Sequence, residues 1–507
     1  MTSRVLGLVR DQVLAYFFGA GDAMDAFRIA FRLPNILRDL FAEGAISAAL
    51  VPIFTRAFAA RDPRHAWRLA STVINALLLL SMILAAAGMV FARPLIELYA
   101  GGFRAVPGKL DLTVQLTRIM FPFLPLVTVA AVLMAMLNAR HRFFVPSLSP
   151  AMFNVATIAG AVSLVPVAPS LGVEPIAIIA LATLAGGVGQ ILLQWPAAAR
   201  QGYRYRAALD LRDPLLHDVG HLMLPAVAGL AATQINLFVN TWLAAGLGTG
   251  AVSWLDYAFR LMYMPIGLFG VSIATASLPS ISGHAANSDD PAIRHTMSAG
   301  LRMMLMLNVP AAAGLIVLST PIVALIFERG RFTPADTAAT AAALAWYAPG
   351  LLGYSTVKLI SPAFYAIGNA RVPLAASAVA VASNVVLSLA LVRVLGHRGL
   401  ALATGIAALL NSAVLLVMLH KRLGGVEGGR ILRSAAKITA ASIVMAAAAY
   451  YAERLLHVPI AGNGTLAQTM RVFGAIATGM AVLAMVSHML RIEEFAQLRR
   501  TVALSRT

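Results

Sequence analysis

Long apolar runs divided by short polar ones make up most of this chain. About 20 apolar residues cross a bilayer as a helix. On that measure the pattern predicts fourteen spans, at residues 2–18, 26–54, 69–91, 113–137, 150–167, 176–196, 223–247, 252–280, 301–327, 338–365, 373–394, 400–419, 436–451 and 471–490. The second departs from the rest. Between Asp25 and Phe54 its ends are apolar, but Arg28, Arg32, Asn35, Asp39 and Glu43 recur at spacings of three and four, which places them on one helix face. Arg38 lies one step from that stripe, and Pro34 removes a backbone donor within it, which predicts a kink. Each charge at the centre of a bilayer costs about 2.5–3.5 kcal/mol on insertion scales. Several in one span require water or each other, so the stripe predicts the wall of a polar chamber. A solvated amphipathic helix of a soluble protein would show the same stripe, but the rest of the chain argues against it.

Composition settles that choice. The 507 residues are 60% hydrophobic and 12% charged, with a mean hydropathy of +0.81, where soluble domains carry about 25% charged residues. The predicted fold class is an all-α polytopic membrane protein. A net charge of +18 would suggest nucleic acid in a soluble chain. Here the basic residues fall mostly in short loops, so the expectation is no nucleic-acid partner. Loops after even-numbered spans and the tail hold 22 Lys and Arg. The opposite loops hold 7, namely Arg104, Lys109, Arg329, Arg331, Arg393, Arg398 and Arg454. The excess predicts that both termini are cytoplasmic. Arg4, Arg10 and Asp11 interrupt the first apolar run, unlike a cleavable signal peptide. The absence of cysteine excludes disulfides and thiolate chemistry.

The chain also repeats itself. Ala30-Phe31-Arg32-Leu33 matches Ala258-Phe259-Arg260-Leu261, Pro94 and Leu98 match Pro321 and Leu325, Pro122 matches Pro349, and Asn138-Ala139-Arg140 matches Asn369-Ala370-Arg371. The offsets stay between 227 and 231 and contain six spans. An even number gives both repeats one topology, related by an axis along the membrane normal. The expected domains are therefore an N-lobe at 1–200, a C-lobe at 220–420, and an appended pair of spans with a cytoplasmic tail at 421–507. Two such lobes around a polar midplane describe an alternating-access transporter.

With the loops set aside, the intramembrane charges are Arg4, Arg10, Asp11, Arg32, Arg38, Asp39, Glu43, Asp256, Arg260 and Lys358. Arginine leads the set. Its planar, permanently charged fork matches phosphate and carboxylate oxygens, so an anionic substrate is expected. Asp39 and Glu43 read equally as counter-ions within span 2, Asp256 as a one-turn partner of Arg260, and Arg28 as a side chain reaching for the interface. No metalloprotease, phosphate-loop or hydrolase motif is present. The chain reads as a transporter and not an enzyme. No cofactor or metal is expected, and a coupled ion, the membrane potential or the substrate's own gradient is left to supply the energy.

Ser3-Arg4-Val5-Leu6-Gly7, Arg10-Asp11, Phe18-Gly19-Ala20-Gly21, Asp25-Ala26-Phe27, Leu33-Pro34-Asn35, Arg38, Phe41-Ala42-Glu43-Gly44-Ala45 and Val51-Pro52 resemble the signature of the MurJ/MviN lipid II flippases. Ser253-Trp254, Tyr257-Ala258, Arg260-Leu261-Met262, Pro265, Gly267 and Leu278-Pro279-Ser280 resemble the family's eighth span. The resemblance implies membership of the multidrug/oligosaccharidyl-lipid/polysaccharide exporter superfamily. It implies translocation of lipid II, an undecaprenyl-pyrophosphate-linked peptidoglycan precursor, between the leaflets of the bacterial inner membrane. It implies substrate contacts at Arg4, Arg10, Arg38, Arg260, Arg32 and Ser253, and gating or ion-pair roles for Asp25, Asp39, Glu43 and Asp256, with Asp25 pairing with Arg10. Spans 13 and 14 resemble a groove for the polyprenyl tail. Membrane lipid and the cell-wall elongation and division machinery are the remaining expected partners. Two departures stand beside Arg260, where acidic residues are often found and this chain has Phe259 and Tyr263. The alternatives are an exporter of another lipid-linked oligosaccharide or of a drug, and a non-transporting cell-wall scaffold.

Overall fold

A computed structural model describes residues 2–39, 46–59, 63–207, 209–210, 214–457, 462 and 464–504. Among them there is no strand. The chain divides into two compact units, Met1–Ser253 with Arg329–Phe332, and Trp254–Glu328 with Thr333–Thr507.

The first unit opens with α1 (Thr2–Phe18), α2 (Asp22–Arg38) and α3 (Ile46–Ala59). Next come α4 (Pro63–Val90), α5 (Ala92–Ala100), a tight turn at Gly101–Ala105, α6 (Lys109–Met120) and α7 (Phe123–Ala139). The short α8 (Phe144–Leu148), α9 (Ala151–Ser163), α10 (Pro175–Arg200) and α11 (Pro214–Ala245) complete it. Leu50, Phe54, Leu69, Val73, Phe123 and Leu133 form its core. Phe31 of α2 stacks on Phe153 of α9 with ring centroids 5.4 Å apart, which ties the polar-striped helix to the core through its apolar face.

The second unit takes up α12 (Ala251–Pro265) from Trp254 onward, followed by α13 (Val271–Ala286), α14 (Asp290–Val317), α15 (Ser319–Phe327), α16 (Pro334–Tyr347) and α17 (Gly350–Ala366). Then come α18 (Arg371–Leu395), α19 (His397–Leu423), α20 (Gly428–Leu456), α21 (Thr465–Met489) and α22 (Glu493–Leu504). Lipid tails are as apolar as leucine, so tight packing rather than escape from water joins helices in a bilayer. The α17–α19 seam shows how. A Cβ added at Gly350 would stand 2.8 Å from the Gly405 Cα, and one at Gly353 would stand 2.4 Å from the Ala408 backbone. Only glycine lets these backbones approach so closely.

Ten helical stretches among the described residues are long and apolar enough to cross a membrane. They coincide with ten of the fourteen runs expected from sequence. The other four runs fall on α1, on α2 with α3, on α11, and on α16 with α17. The repeat reappears as matched breaks. α4 gives way to α5 at Phe91, and α14 to α15 at Leu318. α6 gives way to α7 at Pro122, and α16 to α17 at Pro349. Each pair is 227 residues apart. The equivalent Asn154 and Asn384 are both buried.

Two expectations are corrected, and the tail adds a third feature. Lys109 is no loop charge: it opens α6 and is 2% exposed. Arg28 does not reach for the interface, because its side chain is 8% exposed and turned to Asp11 at 3.6 Å. The tail contains a helix, α22, fixed by the ion pair of its buried Glu494 with Arg302 of α14 and by a hydrogen bond from Ser434 Oγ at 2.8 Å.

Candidate functional site

Asp25 stands near the start of α2 and is fully buried. A carboxylate there needs a cation and donors, and four groups supply them. Lys109 Nζ lies 2.8 Å from Oδ2. The Gly250 amide donates to Oδ2 at 2.7 Å, and the Ser253 amide and hydroxyl donate to Oδ1 at 3.0 and 2.7 Å. Gly250 and Ser253 bracket the first turn of α12, where amides have no partner within the helix and the helix dipole favours an anion. Asp25 thus caps a helix other than its own. Gly250 has φ +91°, a left-handed conformation open chiefly to glycine, and this turns its amide toward the carboxylate.

Lys109 also reaches Asp22 Oδ1 at 2.8 Å and lies 4.2 Å from the centre of the Phe103 ring. Thr249 Oγ1 donates to the same Asp22 oxygen at 2.7 Å. The result is one cation between two carboxylates, closed by the loop leading into α12.

The remaining charges form smaller sets. Asp11, 2% exposed, accepts from Arg10 Nη2 at 3.0 Å and faces Arg28 Nη2 at 3.6 Å. The Arg10 guanidinium lies 5.0 Å from the Phe153 ring centre. The expected Asp25–Arg10 pair is therefore replaced by two pairs, Asp25–Lys109 and Asp11–Arg10. The physical reason is that Asp11 adjoins Arg10 on α1, while Lys109 alone offers Asp25 a cation from α6. Arg38 Nη2 meets Asp39 at 2.9 Å, with Asn35 Nδ2 at 3.5 Å from the other Asp39 oxygen. Arg32 is half-buried on α2. In the second unit Arg260 Nε meets Asp256 at 3.0 Å, and the Arg260 side chain keeps 36% of its surface exposed. The departures noted beside it form an aromatic patch: Phe259 stacks on Tyr263 at 5.7 Å and meets Tyr347 edge-on at 5.5 Å. Lys358 is exposed on α17. Arg4 belongs to α1, and Glu43 lies outside the described residues.

Sequence reasoning missed Lys109. Two signals pointed to it. Lys109, Thr113 and Thr117 recur every fourth residue as a polar stripe, and all three are buried. Lys109 also stands 227 residues before Asp336, which accepts from Trp254 Nε1 at 2.8 Å. Positions 109 and 336 thus each make a polar contact to the equivalent helix of their repeat, at neighbouring rather than identical positions, Asp25 on α2 and Trp254 on α12. Asp25 and Ser253 are themselves repeat equivalents, 228 residues apart.

A sequence model of the family described as "Lipid II flippase MurJ" matches residues 14–463. The chain belongs to the MurJ family. Among its MurJ relatives, the "Probable lipid II flippase MurJ" of Vibrio cholerae serotype O1 is 36% identical over 427 residues, covering 83% of this chain and 81% of that protein. The solved structure titled "Lipid II flippase MurJ, inward closed conformation" superposes with a TM-score of 0.79 at 26% identity, covering 96% of this chain and 97% of that one. The inward-facing structure of a multidrug resistance MATE transporter of the MOP superfamily gives a TM-score of 0.69 at 17% identity, covering 84% of this chain and 96% of that one. At that identity it attests the fold alone.

Proposed function

We propose that this chain is a lipid II flippase of the bacterial inner membrane with both termini cytoplasmic, carrying the precursor between leaflets by alternating access. The observation that carries the reading is the family match across residues 14–463. The charges support it. Lipid II joins a pyrophosphate and peptide carboxylates to a sugar too polar for hydrocarbon, and Arg10, Arg38 and Arg260 offer guanidinium forks to replace its hydration. Arg4 and Arg32 extend that set along α1 and α2. Each of Arg10, Arg38 and Arg260 rests against a carboxylate. An incoming phosphate therefore competes with Asp11, Asp39 or Asp256, which keeps binding weak enough to reverse.

In this reading the Asp25 cradle is a gate element. Gly250 and Ser253 must release Asp25 for the path to open on their side, while Lys109 stays with Asp22 and Asp25. Ser253 acts by closing this gate, its hydroxyl being committed to Asp25. Transport proceeds without a bound cofactor. A cation moving across the membrane potential couples to it at about 2.3 kcal/mol per charge per 100 mV. Contact with the cell-wall elongation and division machinery would place the product where it is consumed.

The test is accumulation of outer-leaflet lipid II in a strain depleted of its own flippase, comparing this protein with Arg260→Ala at matched membrane levels. Rescue by the parent and not by the variant is expected. Equal rescue by both would overturn the arginine assignment, and rescue by neither would move the substrate to another lipid-linked oligosaccharide or a drug.

A further inference from the structure

The second unit holds a cavity of about 370 Å³ where the end of α14 and the start of α15 meet the end of α20 and the start of α21. Its floor is apolar, with Val317, Leu318, Pro321 and Val472. Its polar side carries Arg454, Arg471 and His457 against the single carboxylate of Glu453. Arg471 is 5% exposed. Its guanidinium is held by the His457 ring at Nη1 and by the Gly462 carbonyl, to which Nη2 donates at 3.0 Å. Arg454 lies 4.4 Å from the Tyr450 ring centre. Among the described residues neither arginine has a carboxylate within 4.0 Å, and Glu453 instead faces His457 at 3.5 Å. A guanidinium this deeply buried without a counter-ion is costly, and an anion entering the cavity would remove that cost.

Depth and surroundings say which anion. α14, α20 and α21 are each apolar and long enough to cross a membrane, and the cavity sits at their ends, where the polar boundary of the bilayer falls. Around it the helices present exposed Leu455, Leu466, Met470 and Phe473, a surface suited to lipid chains. We propose that this cavity binds the phosphate headgroup of an anionic membrane lipid. Arg454 and Arg471 grip the phosphate oxygens as forks, and the acyl chains run down the apolar faces of α20 and α21. The site shares no residue with the Asp25 cradle or the α1, α2 and α12 arginines, so a phosphate headgroup in it does not depend on lipid II being the cargo.

The experiment uses the full chain purified in detergent and two probes, dioleoylphosphatidylglycerol and inorganic phosphate. Retention of the lipid is followed by native mass spectrometry for the parent and for Arg454→Gln, whose side chain is exposed. Loss of one charge-assisted contact predicts about tenfold weaker retention in the variant, with dioleoylphosphatidylcholine held poorly by both. A photoactivatable phosphatidylglycerol should label residues 450–472 in the parent. Equal retention by parent and variant, or labelling confined to other helices, overturns the proposal. Displacement of the lipid by millimolar inorganic phosphate would keep the phosphate site but overturn the lipid as its occupant. Arg471→Gln serves as a second variant, read only if it elutes as a single folded species.

Discussion

Replacing Lys109 by methionine removes a charge and little volume. In the folded chain Lys109 is 2% exposed and Asp25 fully buried, 2.8 Å apart. At an effective dielectric of about 20 the gross attraction over that distance is roughly 6 kcal/mol, set against the desolvation of both ions. Breaking such a pair from one side leaves a buried carboxylate and costs about 3–5 kcal/mol. The donors from Gly250 and Ser253 remain, which holds the loss toward the lower end of that range. The variant Asp25→Asn should cost less, because Lys109 keeps its contact with Asp22. Asp22→Asn should cost under about 1 kcal/mol, since that side chain is 42% exposed and solvent screens the pair. The double variant Asp25→Asn with Lys109→Met removes both charges together. It should return to within about 1–2 kcal/mol of the parent, as replaced buried pairs do. Thermal unfolding in detergent, followed by the fluorescence of the five tryptophans, ranks the four variants. A Lys109→Met protein as stable as the parent, or a double variant whose loss equals the sum of the two single losses, would refute the argument.

Three further outcomes are expected. Gly250→Ala forces a side chain onto φ +91° and should cost about 1–2 kcal/mol; the same unfolding assay reads it, and Gly248→Ala, with φ +94° but no bond to Asp25 among the described contacts, separates strain from gating when both are compared for lipid II transport. Arg302→Met strands the buried Glu494 carboxylate at a cost of about 3–5 kcal/mol, so limited proteolysis should cut within 493–504 early while α14 and α20 stay intact. Arg260→Lys keeps the charge and loses the planar fork, and transport should fall about tenfold, the worth of one charge-assisted bond, against near-complete loss for Arg260→Ala.

Much of this was legible in the chain because the bilayer allows so few solutions. Every backbone group must be satisfied within its own helix, so apolar run lengths alone located most of the helices. Side-chain pairing was legible only where it is local. Asp256 lies one turn from Arg260, and the pair could be read from the spacing. Arg38 and Asp39 are neighbours in sequence. Asp25 and Lys109 are 84 residues apart, and nothing in their local spacing joins them. Lys109 lies at the end of an apolar run, where a charge is ordinarily wetted, so loop counting assigned it to the wrong class. What brings it inside is the pair of acidic residues Asp22 and Asp25, three residues apart at the head of α2, because Arg28, the cation three residues after Asp25, is turned to Asp11 instead. The repeat carried the missing information. Position 109 and its equivalent 336 both bond to the second span of their repeat, through Asp25 on α2 in one case and Trp254 on α12 in the other. A polar contact kept at equivalent positions with different chemistry means that the place, rather than the residue type, is what the fold needs.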